Sequence, residues 1–313
     1  MNNIQRPDSN KEDLGFGTNN YATNSRYINN DGLVNVQRNG RNFWQHFDGY
    51  HALITMSRTK FLSLVILGFL LINLFFAFLY YCIGIDHFGN VQTSTPFNDF
   101  MQLFYFSAQT LTTVGYGHIF PKGNIAGAIA TVEAALGLMG FALATGILYA
   151  RFSRPRSFLL YSRNVLISPY KTLKGLMFRI TNPKQNELIE AEAQVILSMI
   201  DLETGKRMFI PLDLELRKIS FLALTWTIVH PINHESPLLD FSLEDFEKKD
   251  VEILVFIKSI NDTYEQMVHS RHSYTFKELV LDAKFVPVPT RINRQGKMVI
   301  NVDEIHNYQK VED

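Results

Sequence analysis

Two long runs almost free of charge limit what this chain can become. Phe61 to Ile85 holds no Asp, Glu, Lys or Arg, and Ile125 to Ala150 holds only Glu133. At about 1.5 Å per helical residue, each run is long enough to cross roughly 30 Å of hydrocarbon. Soluble helices this long are rarely so free of charge, so we read both as membrane spans, at about 61–85 and 124–152. The cations then give the orientation. Arg58 and Lys60 precede the first run; Arg151, Arg154, Arg156 and Arg163 follow the second; only Lys122 lies between. By the positive-inside rule both termini are cytoplasmic, as for a multi-pass protein of a cell membrane. Lys and Arg number 30 against 30 Asp and Glu. That balance argues against a nucleic-acid partner. The lone Cys82 sits inside the first run, so no disulfide framework exists.

Between the runs lies a shorter apolar segment, 97–111, introduced by Pro96 and too short to span. It reads as a re-entrant pore helix whose C-terminal dipole end favours a cation below it. Directly after it comes Thr112, Thr113, Val114, Gly115, Tyr116 and Gly117. Thr113 to Gly117 spell TVGYG, the pentapeptide from which potassium channels build their filter. The residue types suit the task. Potassium must exchange its water shell for oxygen ligands, which inward-turned carbonyls supply, with K+ held at Thr113, Val114, Gly115 and Tyr116. Gly115 and Gly117 allow backbone angles that a side chain opposes. The Thr113 hydroxyl can add a ring at the inner end, and Tyr116 is expected to point away and pack on the pore helix. One chain supplies only part of each oxygen ring, so a homotetramer is required.

The remaining chain is taken in order. Residues 1–40 are rich in Asn and polar, with no apolar core of a cleaved leader; they read as a flexible arm, with residues 31–37 able to add an edge strand. Residues 41–58 read as an amphipathic interfacial helix around Trp44 to Ser57. Tyr80 and Tyr81 read as interface anchors near the outer end of the first span. Residues 86–96 form an external turret. In the second span Phe141, Thr145 and Tyr149 recur at i, i+4 and i+8 and share one helix face, proposed to line the inner pore. Leu148 is the neighbouring rival. After Pro155, alternating stretches at 176–181, 190–199, 221–229, 251–257 and 298–302 read as strands of an immunoglobulin-like β-sandwich over 154–313. No GxGxxG after a strand, HExxH or CxxC occurs, so no enzyme chemistry and no cofactor are expected, only permeant K+.

This order resembles an inward-rectifier potassium channel, most closely the prokaryotic branch. The filter selects only potassium channels. The family is selected by 146–156 (GILYARFSRPR), 186–191 (NELIEA), 230–238 (HPINHESPL) and 271–274 (RHSY). The resemblance covers nearly everything after about residue 32. It implies a membrane α plus cytoplasmic all-β fold: a two-helix pore domain at 59–153 and then the sandwich. It implies that Gly137 is a hinge and that Tyr149 narrows the helix-bundle crossing. Asp262, Thr263, Tyr264, Glu265, Gln266, Met267, Val268 and His269 become a cytoplasmic pore loop. Arg58, Lys60, Arg151, Arg154 and Arg156 meet anionic lipid heads such as phosphoinositide. The departures are informative. Gln109 replaces a pore-helix Glu and His118 replaces Asp, which makes Glu133 the substitute support behind the filter. Phe141 stands where strongly rectifying members carry an acid, so block by Mg2+ or polyamine is expected to be weak, although Asp262 keeps an acid further down.

The function expected is therefore a potassium-selective channel gated at the second span by lipid or cytoplasmic-domain signals. A membrane-anchored ligand sensor with a vestigial pore is the alternative; an ion-flux assay separates the two. A voltage-gated channel is disfavoured, because no Arg-rich sensor helix precedes the pore.

Overall fold

A computed structural model describes residues 26–29, 32–35, 40, 48–153 and 158–311. The chain divides into a helical unit within 39–154 and a β unit made of 1–38 with 155–313.

In the helical unit, α1 (Gly49–Thr55) starts where the Asp48 carboxylate accepts from the His51 N–H at 3.0 Å. Helix α2 (Arg58–Ile83) is capped by Ser57 and stops at Gly84, whose φ of 99° no helix continues through. Helix α3 (Pro96–Leu111) has Thr95 as its cap and Pro96 in its first turn. Helix α4 (Asn124–Phe152) follows Gly123. Thus α2 starts ahead of the charge-free run and ends short of Ile85, because caps and a glycine, not hydropathy, set its ends. Of the stretch read as an interfacial helix, Gly49–Thr55 is helical as α1; Trp44 and Phe47 lie outside the described residues. A two-residue ladder, β1 (Phe88–Gly89) with β2 (Phe120–Pro121), fastens the segment before α3 to the segment after the filter. Phe76, Tyr80, Phe88, Leu103, Phe106 and Ala126 pack as one buried cluster between α2, α3 and α4. The outward side chains of α2, such as Leu62, Ile66 and Phe75, are exposed and apolar, as a lipid-facing surface requires.

Apart from two short ladders, 283–285 with 308–310 and 290–292 with 298–300 (the strand expected at 298–302), the β unit is a sandwich of two sheets. Its strands are β3 (Leu160–Tyr161), β4 (Val165–Tyr170), β5 (Leu173–Thr181), β6 (Leu188–Ile200), β7 (Arg207–Leu212), β8 (Lys218–Phe221), β9 (Thr225–Ile232), β10 (Glu252–Asn261), β11 (Gln266–Thr275) and β12 (Leu279–Leu281). In one sheet β5 pairs with β9 on one edge and with β4 and β3 on the other, and β12 joins β4 in parallel. In the other, β10 lies between β11 and β6, and β6 also holds β7 and β8. The alternation read in 190–199 works as expected: Ala191, Ala193, Val195, Leu197 and Met199 enter the inter-sheet core. They meet Ile167, Leu176, Phe178 and Ile180 of the first sheet. The stretch 221–229 is two strands. Leu222 turns into the core and the chain crosses from the β6 sheet to the β5 sheet, so the ladder breaks there.

Part of the arm, expected to lack structure, is ordered. The Tyr27 N–H donates to the buried Glu252 carboxylate at 3.0 Å, and Arg26 pairs with Glu278 at 3.2 Å. Ile28 packs on Ile196 and Leu254. This explains why Ile196, on the outer face of β6, is buried where Glu190, Glu192 and Gln194 are exposed. Of the stretch 31–37 expected to add an edge strand, residues 32–35 are described, and there Val34 makes an isolated bridge with Ile28.

Candidate functional site

The last turn of α3 sets the conformation of the filter. The Thr113 N–H donates to the Thr110 carbonyl at 3.0 Å; the Val114 and Gly115 N–H groups both donate to the Gln109 carbonyl, at 2.9 and 3.3 Å. In a trans peptide the C=O lies opposite the N–H of the next residue. The carbonyls of Thr112, Thr113 and Val114 therefore turn away from α3, to one side. An extended strand would alternate them. The dihedral angles agree: φ is 57° at Thr113, 53° at Gly115 and 77° at Gly117, with no positive value at Val114 or Tyr116 between them. Such alternation of backbone handedness aligns successive peptide groups. Gly115 and Gly117 were expected to need these angles; Thr113 was not, and no local residue pattern signals it. Tyr116 is 78% exposed and Val114 53%, so α3 of the same chain does not cover Tyr116 as the sequence reading expects.

Gly137 lies against the end of α3. A Cβ built there would stand 1.9 Å from the Leu111 carbonyl oxygen. The glycine thus has a packing reason in this structure, beside the hinge role that the family resemblance implies.

Behind α3, Glu133 is fully buried on α4; one carboxyl oxygen accepts from Tyr80 of α2 and the other lies within hydrogen-bond distance of the Ser107 hydroxyl of α3. Ser107 also reaches Asn73 Oδ1 at 3.1 Å. Among the described residues the hydrogen bonds of Glu133 go to Ser107 of the pore helix and to Tyr80, while the Gln109 backbone carbonyl accepts from the filter N–H groups. Tyr80 is a core residue, not an interface anchor; Tyr81 remains half exposed against the Phe100 ring. Sequence reasoning missed Asn73, Ser107 and the role of Tyr80. The one signal was Asn73, the only amide in the first apolar run.

At the other end of α4, Phe141 and Tyr149 are 74% and 73% exposed and Thr145 is also exposed, whereas Leu148 is half-buried. Arg151, expected to meet lipid heads, is engaged within the chain. Its guanidinium donates to the Leu53 and Met56 carbonyls and stacks 4.8 Å from the Phe61 ring centre. Those carbonyls close the C-terminal turn of α1, where no intrahelical donor remains, so the cation is held inside the unit. Arg58 and Lys60 are exposed in the first turn of α2, the positive end of its dipole, where cations cost energy unless an anion is near. Arg154 and Arg156 lie outside the described residues.

Half of the segment read as a loop from Asp262 to His269 is strand, and Asp262 lies with the turn residues. Thr263, Tyr264 and Glu265 form the hairpin turn, while Gln266, Met267, Val268 and His269 pair with Asn261, Ile260, Ser259 and Lys258. Val268 is drawn into the core, which fixes this register. Two histidines of the sandwich are held neutral by burial. Desolvation pushes His272, stacked 4.5 Å from Tyr161, down to about 4, with the nearby Arg26 charge adding to the effect. Desolvation also lowers His230, partly offset by its bond to the Asp213 carbonyl; its other nitrogen meets the Ser236 hydroxyl at 2.8 Å.

Comparison with known proteins agrees with this arrangement. Residues 159–313 match the inward rectifier potassium channel C-terminal domain and 67–154 match an ion channel domain. The chain is 32% identical to the inward rectifier potassium channel Kirbac3.1 of Paramagnetospirillum magnetotacticum, over 91% of this chain and 96% of the relative. It is 28% identical to the ATP-sensitive inward rectifier potassium channel 12 of Gallus gallus, covering 91% of this chain and 73% of that one. It is 26% identical to the G protein-activated inward rectifier potassium channel 2 of Mus musculus, covering 85% and 68%.

Proposed function

Because this chain belongs to the inward-rectifier potassium channel family, on its prokaryotic branch, we propose that four copies form a membrane pore that conducts potassium and excludes sodium. One observation carries the reading: the carbonyls of Thr112, Thr113 and Val114 turn to one side, away from α3, in a left-handed and right-handed alternation that continues to Gly117. A row of oxygens on one side of one chain becomes a set of rings around a shared axis. The bare Tyr116 and Val114 side chains favour assembly, since a neighbouring copy can cover what α3 of the same chain leaves open. Rubidium or potassium uptake into liposomes under a salt gradient tests the proposal. Uptake of sodium equal to that of potassium overturns it, and no uptake of either favours the sensor with a vestigial pore.

Gating belongs to the inner end of α4, with both termini cytoplasmic. Tyr149 is the bulky residue whose copies close the path by steric block and dewetting, and Phe141 and Thr145 line the wall above it. The half-buried state of Leu148 favours Tyr149 over its neighbour. Tyr149→Ala should raise basal rubidium uptake and weaken its dependence on lipid, with selectivity unchanged. If Leu148→Ala does so instead, the face is off by one residue. If neither does, the constriction lies at the β10–β11 turn.

The lipid site comprises Arg58 and Lys60 with Arg154 and Arg156, each worth about 1 kcal/mol near an anionic surface. Arg151 is left out because its donors are engaged within the helical unit. Neutralising Arg154 and Arg156 together should move the phosphoinositide dose response of uptake; an unmoved curve rejects the site. Rectification is weak, since Phe141 offers no acid to Mg2+ or polyamine.

A further inference from the structure

The cluster behind α3 carries its own chemistry, and it relies on the pore reading only for its place near the filter. Asn73, Tyr80, Ser107 and Glu133 are all fully buried and come from three helices. Three side-chain contacts join them: Tyr80 to Glu133 Oε2, Ser107 to Glu133 Oε1, and Ser107 to Asn73 Oδ1 at 3.1 Å; Ser107 also lies 3.3 Å from the Asn73 backbone carbonyl, which the hydrogen-bond ladder of α2 supplies with a donor. The amide orientation of Asn73 is set, because its Nδ2 donates to the Phe69 carbonyl at 2.7 Å. Oδ1 therefore faces Ser107 and can only accept.

Each contact needs one proton. Tyr80 and Ser107 supply one apiece, and an ionised Glu133 supplies none. Two protons cannot serve three contacts, so an ionised Glu133 leaves the buried Asn73 Oδ1 without a donor. A third proton, on the carboxyl, completes the set: Tyr80 donates to Glu133, Glu133 to Ser107, and Ser107 to Asn73. The charged form also has no counter-ion, since among the described residues no salt bridge reaches Glu133.

We propose that Glu133 is a neutral acid that donates to Ser107, and that Asn73 is the terminal positioning residue of a one-way hydrogen-bond chain locking the pore helix to both spans. The test uses the full-length channel in liposomes at neutral pH. The infrared difference between wild type and Glu133→Gln should show loss of a protonated carboxylic-acid C=O band. Gln keeps one donor and one acceptor in the same places, so Glu133→Gln should melt close to wild type. Glu133→Ala and Asn73→Leu should each melt about 5 °C lower, as expected when buried groups lose their partners. Loss of a carboxylate band instead, or a Glu133→Gln protein that melts as low as Glu133→Ala or does not fold, overturns the proposal. None of these readouts needs ion flux. Absence of potassium-selective uptake by the wild type would count against the channel reading alone.

Discussion

Gly137→Ala should lower the melting temperature of the purified channel by about 5–10 °C and remove most of its potassium uptake. The added methyl would stand 1.9 Å from the Leu111 carbonyl oxygen and 2.8 Å from its carbon. Both are backbone atoms at the end of α3, so no side chain can rotate aside. Either α4 retreats or the end of the pore helix moves, and the Thr113 to Gly115 N–H bonds begin within that turn. Overpacking of this kind costs about 1–3 kcal/mol per copy, occasionally more. Gly68→Ala in α2 is the matched control. Nothing lies within 4 Å of a Cβ there, and alanine gains about 1 kcal/mol of helix propensity over glycine. The pair also separates two roles for Gly137. A hinge alone would leave melting unchanged and shift only gating.

Gly115→Ala should abolish rubidium uptake to the level of empty liposomes while the protein still folds and melts near wild type. The residue sits at φ 53° between Val114 and Tyr116, where the chain has negative φ. A side chain in the left-handed region costs roughly 1–2 kcal/mol, and in a tetramer the cost falls on every copy of one ring. The easier course is for the peptide to rotate, which turns a carbonyl out of the row. No atom lies within 4 Å of the position of a Cβ in the chain, so the fold itself tolerates the methyl. Selective uptake by Gly115→Ala would show that the alternation of backbone handedness is not what makes the row.

These two glycines divide what was legible from what was not. Gly115 could be read from TVGYG, because a filter is local: its conformation depends on consecutive peptide groups and the turn before them. The spans were equally local, since length and absence of charge decide whether a helix suits hydrocarbon. The alternation of β6 announced the sandwich because strand periodicity is a property of neighbours in sequence. Spacing put Tyr149 on one helix face with Phe141 and Thr145, but family resemblance supplied the hinge role of Gly137 and the narrowing role of Tyr149.

Contacts between distant segments were decided by the tertiary structure. Tyr80 looks like an interface residue until Glu133, from the other span, meets its hydroxyl in the interior. The sequence does not show that the Arg151 guanidinium meets the Leu53 and Met56 carbonyls at the end of α1. The polar arm looks unstructured until Glu252 accepts its backbone N–H groups and Ile28 finds an apolar seat on the sheet. In each case the residue's own chemistry allowed two environments. Only the approach of a partner far along the chain selected one, because a buried polar group must be paired and the identity of that pair is a property of packing.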